Sequence, residues 1–174
     1  MREIDAVATH GEADGPRPSL TFDAFYSAEF EPVAALAYVL SGSAIAAEDL
    51  AQEAFLAAYH RWDEVGSYGS PGGWVRRAVA NRAVSGYRRR AAEARAVGRM
   101  YQRDPLPDLS PESVDVWRAV RALPKRQAQV IALYYLEDRS HDDVADILSM
   151  SVETARTHLR RARKGLARRL RLEE

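Results

Sequence analysis

A histidine with two acidic neighbours comes nearest, in this 174-residue chain, to a site for acid-base or metal chemistry. His60 follows Glu53 by seven residues and precedes Glu64 by four, so a His–Glu pair could share one helical turn. Such a pair is common by chance, and a catalytic zinc usually needs three protein ligands. There is no Gly-rich phosphate loop, no nucleophile elbow and no H-E-x-x-H motif. We therefore expect no catalytic site, no bound metal and no cofactor.

Composition narrows the protein class further. Cysteine is absent, which excludes disulfides and Cys-based zinc sites. No apolar run approaches the ~20 residues that span a bilayer. The first twenty residues lack the basic start and the apolar stretch of a signal peptide. We expect a soluble, cytoplasmic protein without membrane insertion.

Charge is unevenly distributed, although the formal net charge is zero. Residues 21–64 carry a net charge of −7, residues 65–100 carry +7 and residues 156–174 carry +6. All eight positive charges of the first basic block are arginines, whose planar guanidinium binds phosphates and bases bidentately. The pattern favours two surfaces that face polyanions and one that faces something else, with solvated helix faces as the alternative.

The clearest nucleic-acid pattern begins at Ser140. Ser140 and Asp143 have capping-box spacing, and Ser149-Met150-Ser151 interrupts the helical periodicity before Ser151 can cap another helix. Two short helices with a tight break predict a helix-turn-helix. The second helix has an apolar stripe at steps of three and four residues, formed by Val152, Ala155, Leu159, Ala162 and Leu166.

The opposite face of that second helix is rich in arginine and threonine. Arginine can reach guanine edges and phosphates, so we expect this face to enter the major groove, with base contacts near the helix start. The alternative is an ordinary bundle helix whose charged face is only solvated. The candidate residues for duplex DNA are Ser151, Glu153, Thr154, Arg156, Thr157, Arg160, Arg161 and Lys164.

Apolar periodicity predicts an all-α fold of two small helical domains. Helical spacing runs over residues 22–40 and ends at Gly42, and a second helix covers 44–62. A Gly-rich loop spans 66–73, and a third helix starts at Pro71, reaches 92 and could continue to 99. No segment alternates as a strand does.

Prolines at 105, 107 and 111 prevent a continuous helix between the two halves. Pro124 then separates a short helix at 114–122 from a longer one at 125–137. The predicted organisation is a disordered tail over 1–19, a domain over 20–99, a linker over 100–112 and a helix-turn-helix domain over 113–174.

The segment Glu48-Asp49-Leu50-Ala51-Gln52-Glu53-Ala54-Phe55 resembles region 2.2 of the extracytoplasmic function sigma factors, small members of the sigma-70 family. The resemblance covers residues 20–172, with 74–90 similar to regions 2.3 and 2.4, and with 122–127 and the helix-turn-helix similar to region 4. It implies a non-catalytic initiation factor that directs RNA polymerase to promoters. The alanine and arginine content is typical of a high-GC bacterium, in keeping with the actinobacterial SigE-like group.

The resemblance implies a polymerase-binding role for one face of the helix at 44–62. That face would dock on the clamp helices of the beta-prime subunit, and carboxylates suit a basic protein helix better than DNA. The beta flap of the core and an anti-sigma factor are further implied partners. The candidate core-binding residues are Asp49, Gln52, Glu53 and Leu56.

The resemblance also implies that the helix at 74–90 holds the single-stranded minus-ten promoter element. An asparagine would bond a base edge, arginines would hold the backbone, and the loop at 66–70 would receive an unstacked base. The helix-turn-helix would contact the duplex minus-thirty-five element. Ser85 departs from the Asp or Asn of many relatives. The candidate minus-ten residues are Tyr68, Trp74, Arg77, Asn81, Ser85, Arg88 and Arg89.

A stand-alone helix-turn-helix regulator is the alternative function. Such regulators usually carry an alpha/beta receiver domain, whose strand pattern this sequence lacks. A regulator should bind duplex DNA alone, whereas a sigma factor should need the polymerase core. A purely protein-binding helical adaptor would leave the basic block over 65–100 unexplained.

Overall fold

The structure is a computed structural model that describes residues 20–97 and 111–170. Eight α-helices and no β-strand occur in these two ranges, which confirms the predicted all-α fold. The predicted tail at 1–19 and the linker residues at 100–110 lie outside them. The helices are α1 (Phe22–Ser41), α2 (Ala44–His60), α3 (Trp62–Val65), α4 (Pro71–Val97), α5 (Pro111–Arg121), α6 (Lys125–Tyr135), α7 (His141–Leu148) and α8 (Val152–Leu170).

Helices α1 to α4 form an N-terminal group whose boundaries follow local capping chemistry. Thr21 and Ser43 cap α1 and α2 by accepting hydrogen bonds from the amides of Ala24 and Ala46. Gly42 ends α1 with a φ of 72°, a left-handed conformation that costs glycine little. A side chain there would also collide with Arg121, since an added Cβ would lie 2.9 Å from its Nε.

The second predicted helix is interrupted near its end. We expected one helix over 44–62, but α2 ends at His60 and the short α3 begins at Trp62. Arg61 lies between them with a φ of −123°, outside the helical region. The third predicted helix, α4, runs to Val97. It is longer than the predicted minimum, which ended at residue 92, and ends before the predicted maximum at residue 99.

Helices α5 to α8 form a C-terminal group that contains the predicted helix-turn-helix. The capping box of Ser140 and Asp143 is present at the start of α7. Ser149, with a φ of 51°, ends α7, and Ser151 caps α8 by accepting from the amide of Thr154. Helix α5 starts at Pro111, three residues earlier than the sequence predicted, because proline is well tolerated in the first helical turn.

The two groups are packed on each other instead of standing apart. Helix α4 contacts α6 and α7, and α1 contacts α5 and α6, so one continuous cluster of buried apolar residues spans both groups. The sequence predicted two domains but not this contact. Within the described ranges, no helix combines the length and apolarity needed to cross a membrane.

Candidate nucleic-acid interface

Helix α8 presents its predicted DNA-binding side chains to solvent. Ala155, Leu159 and Ala162 are buried against the rest of the C-terminal group, as the apolar stripe predicted. We call the opposite side the α8 face. Its members are exposed, apart from a half-buried Thr157, and are Ser151, Glu153, Thr154, Arg156, Thr157, Arg160, Arg161 and Lys164.

The members of the α8 face are not equally free to bind a ligand. Ser151 and Thr154 are engaged in the helix cap, with their hydroxyl oxygens 2.7 Å apart. Glu153, Arg156 and Arg160 have no hydrogen-bond or ion-pair partner among residues 20–97 and 111–170. These three side chains can therefore reach a base edge or a phosphate without first breaking a protein contact.

Positive charge continues beyond the predicted part of α8. Arg168 and Arg169 line a groove of about 440 Å³ with Arg161 and Lys164, next to the turn between α5 and α6. Arg169 donates to the carbonyl oxygen of Ala122 at 3.2 Å. This extension was not predicted from the sequence, although the i, i+3 and i+7 spacing from Arg161 to Lys164 and Arg168 places all three on one side of the helix.

His158 lies beside the α8 face and is half-buried. Burial lowers its pKa, and the positive charges of Arg161 and Arg126 lower it further. The imidazole is therefore neutral at neutral pH, which leaves the charge of this helix to its arginines and lysine.

Helix α4 packs against the core through an apolar stripe with a four-residue period. Val75, Val79 and Ala83 are fully buried. The predicted minus-ten residues of this helix form what we call the α4 face, and they are Trp74, Arg77, Asn81, Ser85, Arg88 and Arg89. The indole of Trp74 is half-buried, with the guanidinium of Arg61 5.9 Å from its ring centroid.

The C-terminal group makes hydrogen bonds to much of the α4 face, although Arg77, Ser85, Arg88 and Arg89 remain exposed. The guanidinium of Arg77 donates to the carbonyl oxygens of Ile147 at 2.7 Å and Asp146 at 2.9 Å. The side-chain amide of Gln129 donates to the Asn81 side chain at 3.0 Å. Two further contacts continue along the helix.

Those two contacts involve Ser85 and Arg88. Lys125 donates to the Ser85 hydroxyl at 3.0 Å, and Arg88 donates to the carbonyl oxygen of Leu123 at 3.3 Å. Arg89, by contrast, is exposed and pairs only loosely with Glu93 on its own helix, at 3.8 Å. Four of the six members of the α4 face are thus bonded to the C-terminal group.

Tyr68 lies in the loop that precedes α4. Its hydroxyl donates to the carboxylate of Glu64, a bond that lowers the pKa of Glu64 and raises that of Tyr68. The ring borders a cavity of about 620 Å³ between this loop and α7. Trp74 and Ile147 also line this cavity. The loop residues are therefore close to α4, as predicted, but face the C-terminal group.

The predicted core-binding residues of α2 lie together on one exposed side of the helix. We call this side the acidic face, and its members, which border a groove of about 610 Å³, are Asp49, Gln52, Glu53 and Leu56.

The groove beside the acidic face has aromatic walls that the sequence analysis missed. Phe22, Tyr26 and Tyr59 line it, and Tyr59 is 57% exposed. Tyr59 follows Leu56 by three residues, so helical spacing could have placed it on this face. Glu53 also pairs with Arg82 across the surface at 2.8 Å.

A buried ionic cluster that the sequence analysis missed joins the two helical groups. Arg76 is 3% exposed, and its guanidinium contacts the carboxylates of Glu137 and Glu29, each at 2.6 Å. Burial alone would lower the pKa of Arg76, but the two carboxylates outweigh it and raise that pKa. The burial of Arg76 was predictable from the sequence. Residue 76 precedes the core positions 79 and 83 by three and seven residues, which places it on the same side of the helix.

Two family models match the chain, each on one helical group. Sigma-70 region 2 matches residues 25–93, and Sigma-70, region 4, matches residues 113–166. The probable RNA polymerase sigma factor RfaY of Xanthomonas campestris is 30% identical over 142 residues, which cover 75% of this chain and 36% of RfaY. The ECF RNA polymerase sigma factor SigE of Mycolicibacterium smegmatis is 31% identical over 143 residues, or 75% of this chain and 54% of SigE.

The chain thus spans about a third to a half of these relatives. Among solved structures, the sigma factor RpoE of Bartonella quintana, crystallised with the anti-sigma factor NepR, aligns with a TM-score of 0.65. That alignment covers 88% of this chain and 98% of RpoE at 24% identity, and it supports the fold. Because both sigma-70 regions match in order, each on its own helical group, the chain belongs to the sigma-70 family and, within it, to the extracytoplasmic function sigma factors.

Proposed function

We propose that this chain is an RNA polymerase sigma factor that binds the core enzyme and directs it to promoters. The observation that carries the proposal is the presence of three separate charged surfaces on one sigma-70 chain. Two are arginine-bearing helix faces, on α4 and α8, and the third is the acidic face of α2. The protein would contribute recognition and positioning without a catalytic site of its own, and it would act in the cytoplasm.

The acidic face is the proposed site for the polymerase core. Carboxylates at Asp49 and Glu53 would attract a basic helix of the beta-prime clamp, and the exposed Leu56 would bury apolar area beside them. The groove next to Leu56 is wide enough for a side chain of the partner, with Tyr26 and Tyr59 as its walls. Tyrosine and leucine at the centre, with acids at the rim, are typical of a specific protein interface. The C-terminal group would contact the beta flap.

The two arginine-bearing faces are the proposed promoter sites. The α8 face would enter the major groove of the minus-thirty-five element, with Arg156 near base edges and Arg160 near phosphates. The α4 face, with Tyr68, would hold the unstacked minus-ten strand through Asn81 and its arginines. Two weak sites on one scaffold bind cooperatively through their effective concentration. For this division of labour we propose a domain over 20–99 and a second domain that begins with α5 at Pro111, three residues before the helix predicted there and two before the predicted boundary at 113, with 100–110 as the linker.

An anti-sigma factor is a further proposed partner. The related RpoE was crystallised with the anti-sigma factor NepR, and its fold resembles that of this chain over most of its length. A protein that contacts both helical groups at once would hold them in a fixed arrangement and so control access to the promoter sites.

Run-off transcription with purified core polymerase and genomic fragments tests the proposed function. We expect discrete transcripts that require both this protein and the core, and a stable complex of the two on size exclusion. A stand-alone regulator would instead bind duplex DNA tightly without the core and start no transcript. Absence of both a core complex and a transcript would overturn the proposal.

A further inference from the structure

We propose that Arg82 belongs to two sites in turn: it pairs with Glu53 in the free chain and passes to a phosphate of the minus-ten strand once the polymerase core has docked. This inference rests on the proposed function, which assigns Glu53 to the core and the neighbouring α4 face to single-stranded DNA. It adds a residue that neither assignment contains, and it makes core binding and strand binding depend on each other.

The ion pair between Arg82 and Glu53 links α4 to α2 at the protein surface. Nη1 of Arg82 lies 2.8 Å from a carboxylate oxygen of Glu53, and the two side chains are 57% and 62% exposed. An exposed pair of this kind contributes at most about 1 kcal/mol, because water competes for both charges. The pair therefore joins the two side chains in the free chain but can be broken at small cost.

Within the acidic face, the two carboxylates differ in their surroundings. Asp49 has no hydrogen-bond or ion-pair partner among residues 20–97 and 111–170, whereas Glu53 already has the guanidinium of Arg82. A basic helix that reaches Glu53 places its own positive charge beside Arg82, and like charges at such a distance repel each other. Docking of the core therefore displaces Arg82 from Glu53.

Arg82 lies at the edge of the α4 face. It directly follows Asn81, the predicted base contact, and it precedes Arg89 by seven residues, so that Arg82 and Arg89 share one side of the helix. Both are exposed. The helix rises about 10 Å over seven residues, so the two guanidiniums can contact separate phosphates of one strand.

The state of Arg82 differs from that of two other arginines on α4. Arg77 and Arg88 donate to carbonyl oxygens of the C-terminal group. The partner of Arg82 is instead the residue that the polymerase core would bind. A guanidinium released from Glu53 has five donors and can form bidentate bonds with a phosphate. Core docking therefore supplies a free cation at the edge of the strand site.

The exchange couples the two binding events in both directions. If docking of the core frees Arg82 for the strand, a bound strand must raise the affinity for the core by the same factor. The size of this factor is limited by the strength of one exposed ion pair, so we expect a coupling of about two- to fivefold.

The variant Arg82→Gln tests the exchange, because it should change two affinities in opposite directions. Loss of the competing charge should tighten binding of the chain to purified core polymerase by about two- to fivefold. Loss of a phosphate contact should weaken binding of the holoenzyme to a fluorescent single-stranded DNA pool of randomised sequence, by a similar factor at every sequence. Core polymerase alone gives the background for the second measurement.

A matched control removes the same charge elsewhere. Arg118→Gln takes an arginine out of its ion pair with Asp115 on α5, which belongs to neither surface. Both affinities of this protein should equal those of the wild type. Circular dichroism establishes that each variant is folded.

Two further variants identify the partner and the charge. In a Glu53→Gln background, Arg82→Gln should no longer tighten core binding, because the carboxylate for which Arg82 competes is gone. Arg82→Lys keeps a positive charge and should retain the coupling, measured as the gain in core affinity on addition of the single-stranded pool. A loss of coupling in the Arg82→Lys protein equal to that in the Arg82→Gln protein would contradict an exchange of charge.

The outcomes separate this inference from the proposed function. Core affinity that is unchanged or lowered by Arg82→Gln would overturn the inference, even if the protein initiates transcription, and so would strand binding by the holoenzyme at the wild-type level. Opposite changes in the two affinities, absent from the Arg118→Gln protein, would support it. Failure of the wild type to form a core complex would instead overturn the proposed function.

Discussion

Helices α4 and α8 each carry a row of arginines on an amphipathic helix, yet the structure treats them in opposite ways. On α8 the side chains of Arg156 and Arg160 project into solvent, without partners in the described parts of the chain. On α4 the side chains of Arg77 and Arg88 are bonded to carbonyl oxygens of the C-terminal group. Arginines on an amphipathic helix are therefore without a protein partner on α8 and bonded to protein oxygens on α4.

The difference shows that a basic helix face does not by itself define an available binding site. Arginine has five donors and satisfies them wherever acceptors are found, on DNA or on protein. The carbonyl oxygens of Asp146 and Ile147, in the last turn of α7, lie within reach of Arg77 on α4. No residue in the described parts of the chain offers such an acceptor to Arg156 or Arg160 on α8. Availability thus depends on neighbours that come from elsewhere in the chain.

The largest expected effect comes from the buried cluster that joins the groups. Arg76→Met leaves the buried Glu137 with only the more distant guanidinium of Arg139, at 3.5 Å, as its counter-charge. We therefore expect the free energy of unfolding to fall by about 3 kcal/mol. Urea denaturation followed by circular dichroism measures it. Arg82→Ala, which removes an exposed pair with Glu53, should cost less than about 1 kcal/mol. Equal losses in the two variants would show that the cluster does not hold α4 to the C-terminal group.

The second-largest effect is expected from a substitution on the acidic face, which is exposed to solvent like the α8 face. Asp49→Lys places like charge against a basic polymerase helix, and we expect core affinity to fall by about a hundredfold while the fold is kept. A pull-down with purified core and a thermal melt measure the two effects. Glu31→Lys, an equally exposed charge reversal on α1, should bind normally. Unchanged core affinity of the Asp49→Lys protein would contradict the assigned docking face.

A third prediction concerns the open α8 face. Arg156→Ala should weaken binding to a minus-thirty-five duplex by about 1–3 kcal/mol, with no loss of stability, because the side chain has no protein partner in the described residues. Transcription from promoters with and without that element provides the measurement. Arg168→Ala removes the same charge from the last turns of α8 and should have a smaller effect. Equal output from both promoters would count against this recognition helix.

The smallest effect is expected at the start of the helix-turn-helix. Ser140→Ala removes the cap of α7 and should lower stability by about 1 kcal/mol, or about 2–4 °C in the melting temperature. The hydrogen bond from Ser140 lowers the pKa of Asp143 below its usual 3.8. The stability from this carboxylate is therefore present above that pH and is lost as the pH falls through the lowered pKa. A gap between wild type and variant that does not narrow as the pH falls below 3.8 would contradict this.

Local features of the fold were largely predictable from the sequence. The end of α1 at Gly42, the capping box at Ser140 and the buried stripe from Ala155 to Ala162 all follow from residues close in the chain. The break at Arg61 was not predicted, because it depends on one backbone angle that neighbouring residues do not dictate. The early start of α5 at Pro111 was hidden by a proline-rich context that suggested a linker.

The candidate site residues were predictable by type and face, but their partners were not. Helical spacing placed Asn81 and Arg77 on one side of α4 and Asp49 and Glu53 on one side of α2. It gave no information on Gln129 or Glu137, since a bond across about fifty to sixty residues of sequence leaves no periodic trace. Arg76 shows the limit most clearly, because a charged residue among core positions signals a buried partner without naming it.

By itself, the sequence determined the helices, their buried stripes, the order of the two sigma-70 regions and the sign of charge on each face. Those properties depend on residue type and on the 3.6-residue helical period, which act over a few neighbouring residues. Only the tertiary structure decided that the C-terminal group lies against α4 and that Arg76 is buried between two carboxylates. The reason is physical: contact between helices distant in sequence depends on the shape and polarity of whole surfaces, and one fold brings those surfaces together.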